Sequence, residues 1–110
     1  MKTVDTSVVQ IWIGGDEADA RRFFRLVSYK VGLCVTVTRT TFVYTGGEES
    51  GLCIGFVNYP RFPTTPEILE ERALSLVPSL IETLCQRTAL VVGPTRTTWV
   101  TIDPPGAAPR

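Results

Sequence analysis

The sequence contains no histidine. That absence removes imidazole general bases, Ser-His-Asp and Cys-His nucleophile pairs, and the histidine-built sites of most catalytic zinc enzymes. Cysteine is scarce: Cys34, Cys53 and Cys85 form an odd set with no C-x-x-C pair. The pattern predicts three buried free thiols rather than a disulfide framework or a zinc site. Neither sign of charge is in excess, with 11 Lys plus Arg against 11 Asp plus Glu. A balanced chain lacks the positive surplus that drives nonspecific attachment to nucleic acid or anionic membranes. No apolar run approaches the ~20 residues that cross a bilayer. Asp5 and Gln10 interrupt the N-terminal segment, so no secretory hydrophobic stretch is read there and the expected compartment is the cytosol.

A chain of 110 residues with 44% hydrophobic content can bury a core without staples and is read as a single α+β domain over 1–102. The Pro/Gly/Ala-rich segment 103–110 reads as a loose tail. Ser7–Ile13 is apolar and β-branched and stops at Gly14-Gly15, which predicts a strand. Asp16 opens a helix, with Asp19 three residues on in a capping-box-like arrangement. Ala20, Phe23, Phe24, Val27 and Val31 recur at helical spacing, and Gly32 is placed as a left-handed terminator. Leu33–Tyr44 alternates like a half-buried strand, Gly46–Gly51 reads as a turn, and Leu52–Tyr59 returns as its hairpin partner. A second helix begins at Thr64 or Thr65, carries Pro78 near its middle and buries two neighbouring apolar stripes. Ala89–Val92 and Trp99–Ile102 are further strands.

The order strand, helix, strand, strand, helix, strand predicts a ferredoxin-like split β-α-β sandwich. Its antiparallel sheet carries two helices on one face, with an extra C-terminal strand as an option. Alternation makes both faces of the sheet apolar: Cys53, Val57 and Tyr59 oppose Leu52, Ile54 and Phe56, and Trp12 opposes Ile11 and Ile13. An uncovered apolar face points to self-association, to a lid formed by the Trp99 segment and tail, or to a ligand or partner surface.

Motifs for chemistry are few. Glu48-Glu49 and Glu70-Glu71 are adjacent pairs that diverge on a turn and a helix, and read as solvated charge. Asp16, Glu17 and Asp19 suit a helix N-terminus without any metal. Gly14-Gly15 lacks a phosphate-loop pattern. No catalytic residue, metal or cofactor is assigned; Cys34 and Cys53 are the only nucleophiles an enzyme could use. The stretches Ile11-Trp12-Ile13-Gly14-Gly15 and Gly55-Phe56-Val57-Asn58-Tyr59 resemble the two signatures of RNA-recognition-motif domains, which would make Trp12 and Phe56 base-stacking rings. The sequence departs from that family at Leu52, Cys53 and Ile54, where the family has a basic residue, a glycine and an aromatic. The connector after Tyr59 holds Arg61 and Phe62 between Pro60 and Pro63, a stiff recognition candidate.

The run GLCVTVTRTTFVYTGGEESGLCIGFVNYPRFPTTPE resembles a group of short accessory proteins of tailed bacteriophages and prophages of Gram-negative bacteria, over residues 11 to 100. The resemblance implies a phage protein acting in the cytoplasm of the infected cell, with no activity or site residues attached. The expectation is thus a non-enzymatic, self-associating module that binds a host protein or small ligand through Arg61, Phe62, Tyr59, Trp12 and Phe56. It would act as an inhibitor or sponge of host defence. The alternative is a single-stranded nucleic-acid binder using Trp12 and Phe56.

Overall fold

The structure, a computed structural model, describes residues 1–102; the expected tail lies outside the described residues. Seven elements follow in order: β1 (Val8–Gly14), α1 (Glu17–Lys30), β2 (Val35–Tyr44), β3 (Gly47–Val57), α2 (Pro66–Thr83), β4 (Thr88–Val92) and β5 (Thr97–Thr101). The strands form one antiparallel sheet in the order β2-β3-β1-β4-β5. The first six elements give the ferredoxin-like sandwich that the sequence predicts. Among the described residues no helix is long and apolar enough to cross a membrane.

Strand parity decides what each face of the sheet carries. Val9, Ile11 and Ile13 of β1, Leu52, Ile54 and Phe56 of β3, and Ala89 and Val91 of β4 are buried beneath the helices. From the other side Phe24 of α1 and Leu69, Ala73, Val77, Leu80 and Ile81 of α2 complete that core. Phe24 meets Phe56 edge-on, with ring centroids 5.9 Å apart. The opposite face stays uncovered and keeps Val8, Val57, Leu90 and Trp99 exposed. The expected apolar second face is therefore present.

Helix starts follow their capping residues. Asp16 accepts the Asp19 amide at 3.3 Å, and Asp19 is spent on Arg22 at 3.3 Å. Thr65 accepts the Ile68 amide at 3.2 Å with Pro66 in the first turn, which settles the later of the two expected starts for α2.

Four expectations need correction. Gly32 is no left-handed terminator: α1 ends on an extended Val31, and Gly32 instead gives room to the Phe62 ring, which a Cβ there would meet at 2.8 Å. The segment Gly47–Gly51 is strand rather than turn, because the β2–β3 ladder continues to Tyr44↔Gly47 and only Thr45-Gly46 reverse the chain. Gly46 takes a φ of 93° there, which a glycine adopts without steric cost. β5 is no lid: it pairs with β4 and widens the open face. The cysteines are not all buried, since Cys34 and Cys85 are exposed and Cys53 is half-buried.

Cys85 is the residue a sequence reader would place last in a left-handed turn. It has a φ of 56° just beyond α2, where the Gln86 amide donates to Ile81 at 2.9 Å and the Cys85 amide to Glu82 at 3.1 Å. That is the Schellman hydrogen-bond pattern, whose left-handed position usually holds glycine. An L side chain there costs about 1–2 kcal/mol, partly offset by the greater unfolded-state freedom of glycine. Cys85→Gly is expected to raise stability by about 1 kcal/mol in urea unfolding; an unchanged or lower midpoint would contradict the assignment.

Candidate active site

The alternation that buries Ile11 and Ile13 turns Trp12 onto the open face. Its cross-strand partners are Cys53 on β3 and Leu90 on β4, and Leu90 in turn pairs with Trp99 on β5. One row across the sheet thus carries both tryptophans. Farther along the hairpin Phe42 lies on the same face, its centroid 6.3 Å from that of Trp12 at an interplanar angle of 65°. The Phe42 ring rests on Gly51, where a Cβ would meet Phe42 Cδ2 at 2.7 Å. Glycine at 51 is therefore what lets the ring lean toward Trp12.

These rings wall a cavity of about 310 Å³, which Glu49, Gln86 and Gly14 complete. Glu49 is the direct ladder partner of Phe42. It is exposed and forms no ion pair among the described residues. The result is an aromatic cavity with one unneutralised carboxylate at its rim. Such a site suits a flat heteroaromatic group carrying positive charge, since aromatic faces attract both.

A larger cavity of about 450 Å³ lies at Gly15, Glu17, Arg39, Thr41 and Ser50. Its one guanidinium is already paired, with Arg39 Nε 3.3 Å from Glu17 Oε2. It presents hydroxyls but no aromatic face, so the smaller cavity is the better organised site for a flat aromatic group.

The residues singled out from sequence fall in three places. Trp12 is in the aromatic cavity. Tyr59, Arg61 and Phe62 gather beyond the far end of β3: the Tyr59 and Phe62 rings stack at 6.2 Å, and the Arg61 guanidinium sits 5.8 Å from the Phe62 ring centre. Asn58 pins this connector, donating to the Asp5 carbonyl at 2.7 Å and accepting the Thr64 amide at 2.9 Å. Phe56 is fully buried. With Trp12 paired to Cys53, Phe56 must lie on the other face, so the two rings cannot stack on one strand of bases and the nucleic-acid reading falls.

Phe42, Glu49, Trp99 and Gln86 were not assigned from sequence. Phe42 was within reach, because the alternation through Thr36 and Thr38 extends to it. Glu49 was not, once its segment read as a turn. Cys53 adjoins Trp12 in the ladder, and burial pushes its thiol pKa up, away from the thiolate a nucleophile needs.

No known protein family matches the sequence, and no curated protein matches it. Two solved structures share its fold. One is a phage SAM lyase in complex with S-methyl-5'-thioadenosine, with a TM-score of 0.67 and 13% identity over 93% of this chain and 94% of that one. The other is a phage SAM lyase in the apo state, with a TM-score of 0.66 and 13% identity over 94% and 96% of the two chains. At that identity the likeness establishes the fold. It also overturns the expectation of a non-enzymatic binding module and of a sponge, since the fold is one in which an enzyme is built. The inference from missing histidine was too broad: it excludes proton-transfer catalysis by imidazole and leaves reactions that move no proton. Both neighbours are phage proteins, in keeping with the phage resemblance of the sequence.

Proposed function

We propose that the chain is an S-adenosylmethionine lyase that holds its substrate in the aromatic cavity of the open sheet face. The observation that carries this reading is the cavity itself: Trp12, Phe42 and Trp99 with the unpaired Glu49 carboxylate, in a fold shared with SAM lyase.

The chemistry needs little from the protein. S-methyl-5'-thioadenosine is S-adenosylmethionine less its amino-acid portion, and a lyase removes that portion without water. The substrate's own carboxylate oxygen attacks the carbon bonded to sulfur and closes a five-membered lactone. A C–O bond forms, the C–S bond breaks, and its electron pair stays on sulfur. The sulfonium becomes a neutral thioether, the carboxylate becomes a neutral ester, and no proton is transferred. A chain without histidine can run such a reaction.

Charge is annihilated in the transition state, so surroundings of low polarity favour it over the charge-separated ground state. Ring walls supply those surroundings and also contact the adenine and the sulfonium. Glu49 has a different part. Its attraction for the sulfonium is strongest before reaction and fades as the charge disappears, so it contributes to binding rather than to the chemical step.

Loss of S-adenosylmethionine from an infected cell would deprive host enzymes that depend on it, which supports an enzymatic anti-defence role. We further propose that the chain is a homo-oligomer joined through the part of its open face outside the cavity, where the cross-strand pair Val8 and Val57 is exposed. Light scattering after size exclusion is expected to give a multiple of 12.1 kDa, and a monomer at high micromolar concentration would contradict it. The function is tested by incubating purified protein with S-adenosylmethionine and following S-methyl-5'-thioadenosine by chromatography. Release with turnover is expected, and no release above the spontaneous rate would sink the proposal.

A further inference from the structure

Gln86 is a polar side chain in the ring-walled cavity, which it shares with Glu49 and Thr88, and its amide is held in place. Its amide nitrogen Nε2 donates to the Leu84 carbonyl at 3.0 Å, so the head of the side chain cannot turn over without losing that bond. Its carbonyl lies over Gly14, where a Cβ would meet Oε1 at 2.6 Å; only glycine at 14 leaves this position open. Its backbone amide is anchored to Ile81 at 2.9 Å, directly after the left-handed Cys85. A left-handed non-glycine residue beside a cavity marks a conformation that the surrounding structure enforces. Among the described residues Oε1 accepts no hydrogen bond, and Nε2 has one proton left over.

We infer that Gln86 reads the base of the nucleoside and selects a 6-aminopurine. The inference rests on the nucleoside-lyase reading of the same cavity. Oε1 accepts from the exocyclic amine, and the remaining Nε2 proton is donated to the adjacent ring nitrogen, the bidentate pairing that glutamine makes with adenine. A 6-oxopurine presents a carbonyl where the amine was, so two acceptors face each other. An unrestrained glutamine would rotate its amide and bind either base. Here rotation would turn Oε1 toward the Leu84 carbonyl, and the tether converts a tolerant side chain into a selective one.

The test compares S-methyl-5'-thioadenosine with its 6-oxo analogue, S-methyl-5'-thioinosine, by isothermal titration calorimetry on the full chain. The wild-type protein is expected to prefer the 6-amino compound by on the order of ten- to hundredfold. In Gln86→Leu that ratio is expected to fall to near one, with the residual affinity of both compounds supplied by the rings. Thermal unfolding establishes that the variant folds. Should it not fold, Gln86→Met, which keeps the length of the side chain and removes both acceptor and donors, is expected to lose the preference in the same way. Tight binding of both compounds by the wild type, or a preference unchanged in either variant, overturns the assignment while leaving the lyase reading intact. Failure to bind either nucleoside overturns this inference, and release of S-methyl-5'-thioadenosine from S-adenosylmethionine decides the lyase reading separately.

Discussion

Trp12→Ala is expected to lower kcat/KM for S-adenosylmethionine cleavage by roughly 10- to 100-fold, through lost base stacking at about 1–3 kcal/mol. Trp12 stands in the middle of the aromatic row, paired to Cys53 on one side and Leu90 on the other, with Phe42 against its ring. Its removal lets more water into the cavity, and water stabilises the separated charges that the reaction must bring together. Both kinetic constants should suffer: KM through contacts to the nucleoside and kcat through polarity. Glu49→Gln makes the informative contrast. If the carboxylate acts on the sulfonium mainly before reaction, KM rises and kcat holds or increases. A fall in kcat with unchanged KM would instead make Glu49 a group acting in the transition state. Steady-state kinetics on the two variants, each checked by circular dichroism, separates these outcomes.

Phe56→Ala carries the largest expected effect on the fold. The side chain is fully buried on the helix side of β3, edge-on to Phe24 of α1. Truncating a buried phenylalanine costs about 3–5 kcal/mol through lost transfer energy and the cavity left behind. Domains of this size have only about 5–15 kcal/mol in total. Urea unfolding is expected to shift to a much lower midpoint, or the variant to fail to fold at 37 °C. A surface ring that stacked on bases would cost no more than about 0.5 kcal/mol when removed. A small loss would therefore contradict the register that places Phe56 on the face away from Trp12.

The comparison of Trp12 with Phe56 shows how much of the site was legible in the sequence. Element order and helix starts follow from local patterns, because capping residues, alternation and helical spacing act over a few positions. Faces follow only when two strands are put in register. Trp12 and Phe56 each look like a base-stacking ring in isolation, and the pairing Trp12↔Cys53 separates them onto opposite faces. The Gly-Glu-Glu-Ser-Gly run has the composition of a turn, yet cross-strand pairing with Thr40–Val43 draws it into β3 and delivers Glu49 to the cavity. Gln86 reads as part of the polar face of the second helix. Its role emerges because α2 ends at Thr83 and the left-handed Cys85 turns the chain toward Gly14. The pairing of Trp12 with Cys53 and the approach of Gln86 to Gly14 join segments distant in sequence, which composition does not encode.

The enzymatic reading turned on the kind of reaction rather than on a motif. Arguments from missing histidine apply to chemistry that moves protons. An intramolecular displacement on a sulfonium needs orientation against ring walls, and leaves no nucleophile or base to find in the sequence.

Mass spectrometry of the products formed in ¹⁸O-labelled water tests the central claim most directly. The lyase route predicts S-methyl-5'-thioadenosine together with homoserine lactone whose ring oxygen comes from the substrate carboxylate, and no label on the carbon that left sulfur. Any later opening of the lactone by water labels the carboxyl group only. Label on the hydroxyl at that carbon, or intact S-adenosylmethionine after prolonged incubation, would contradict the account.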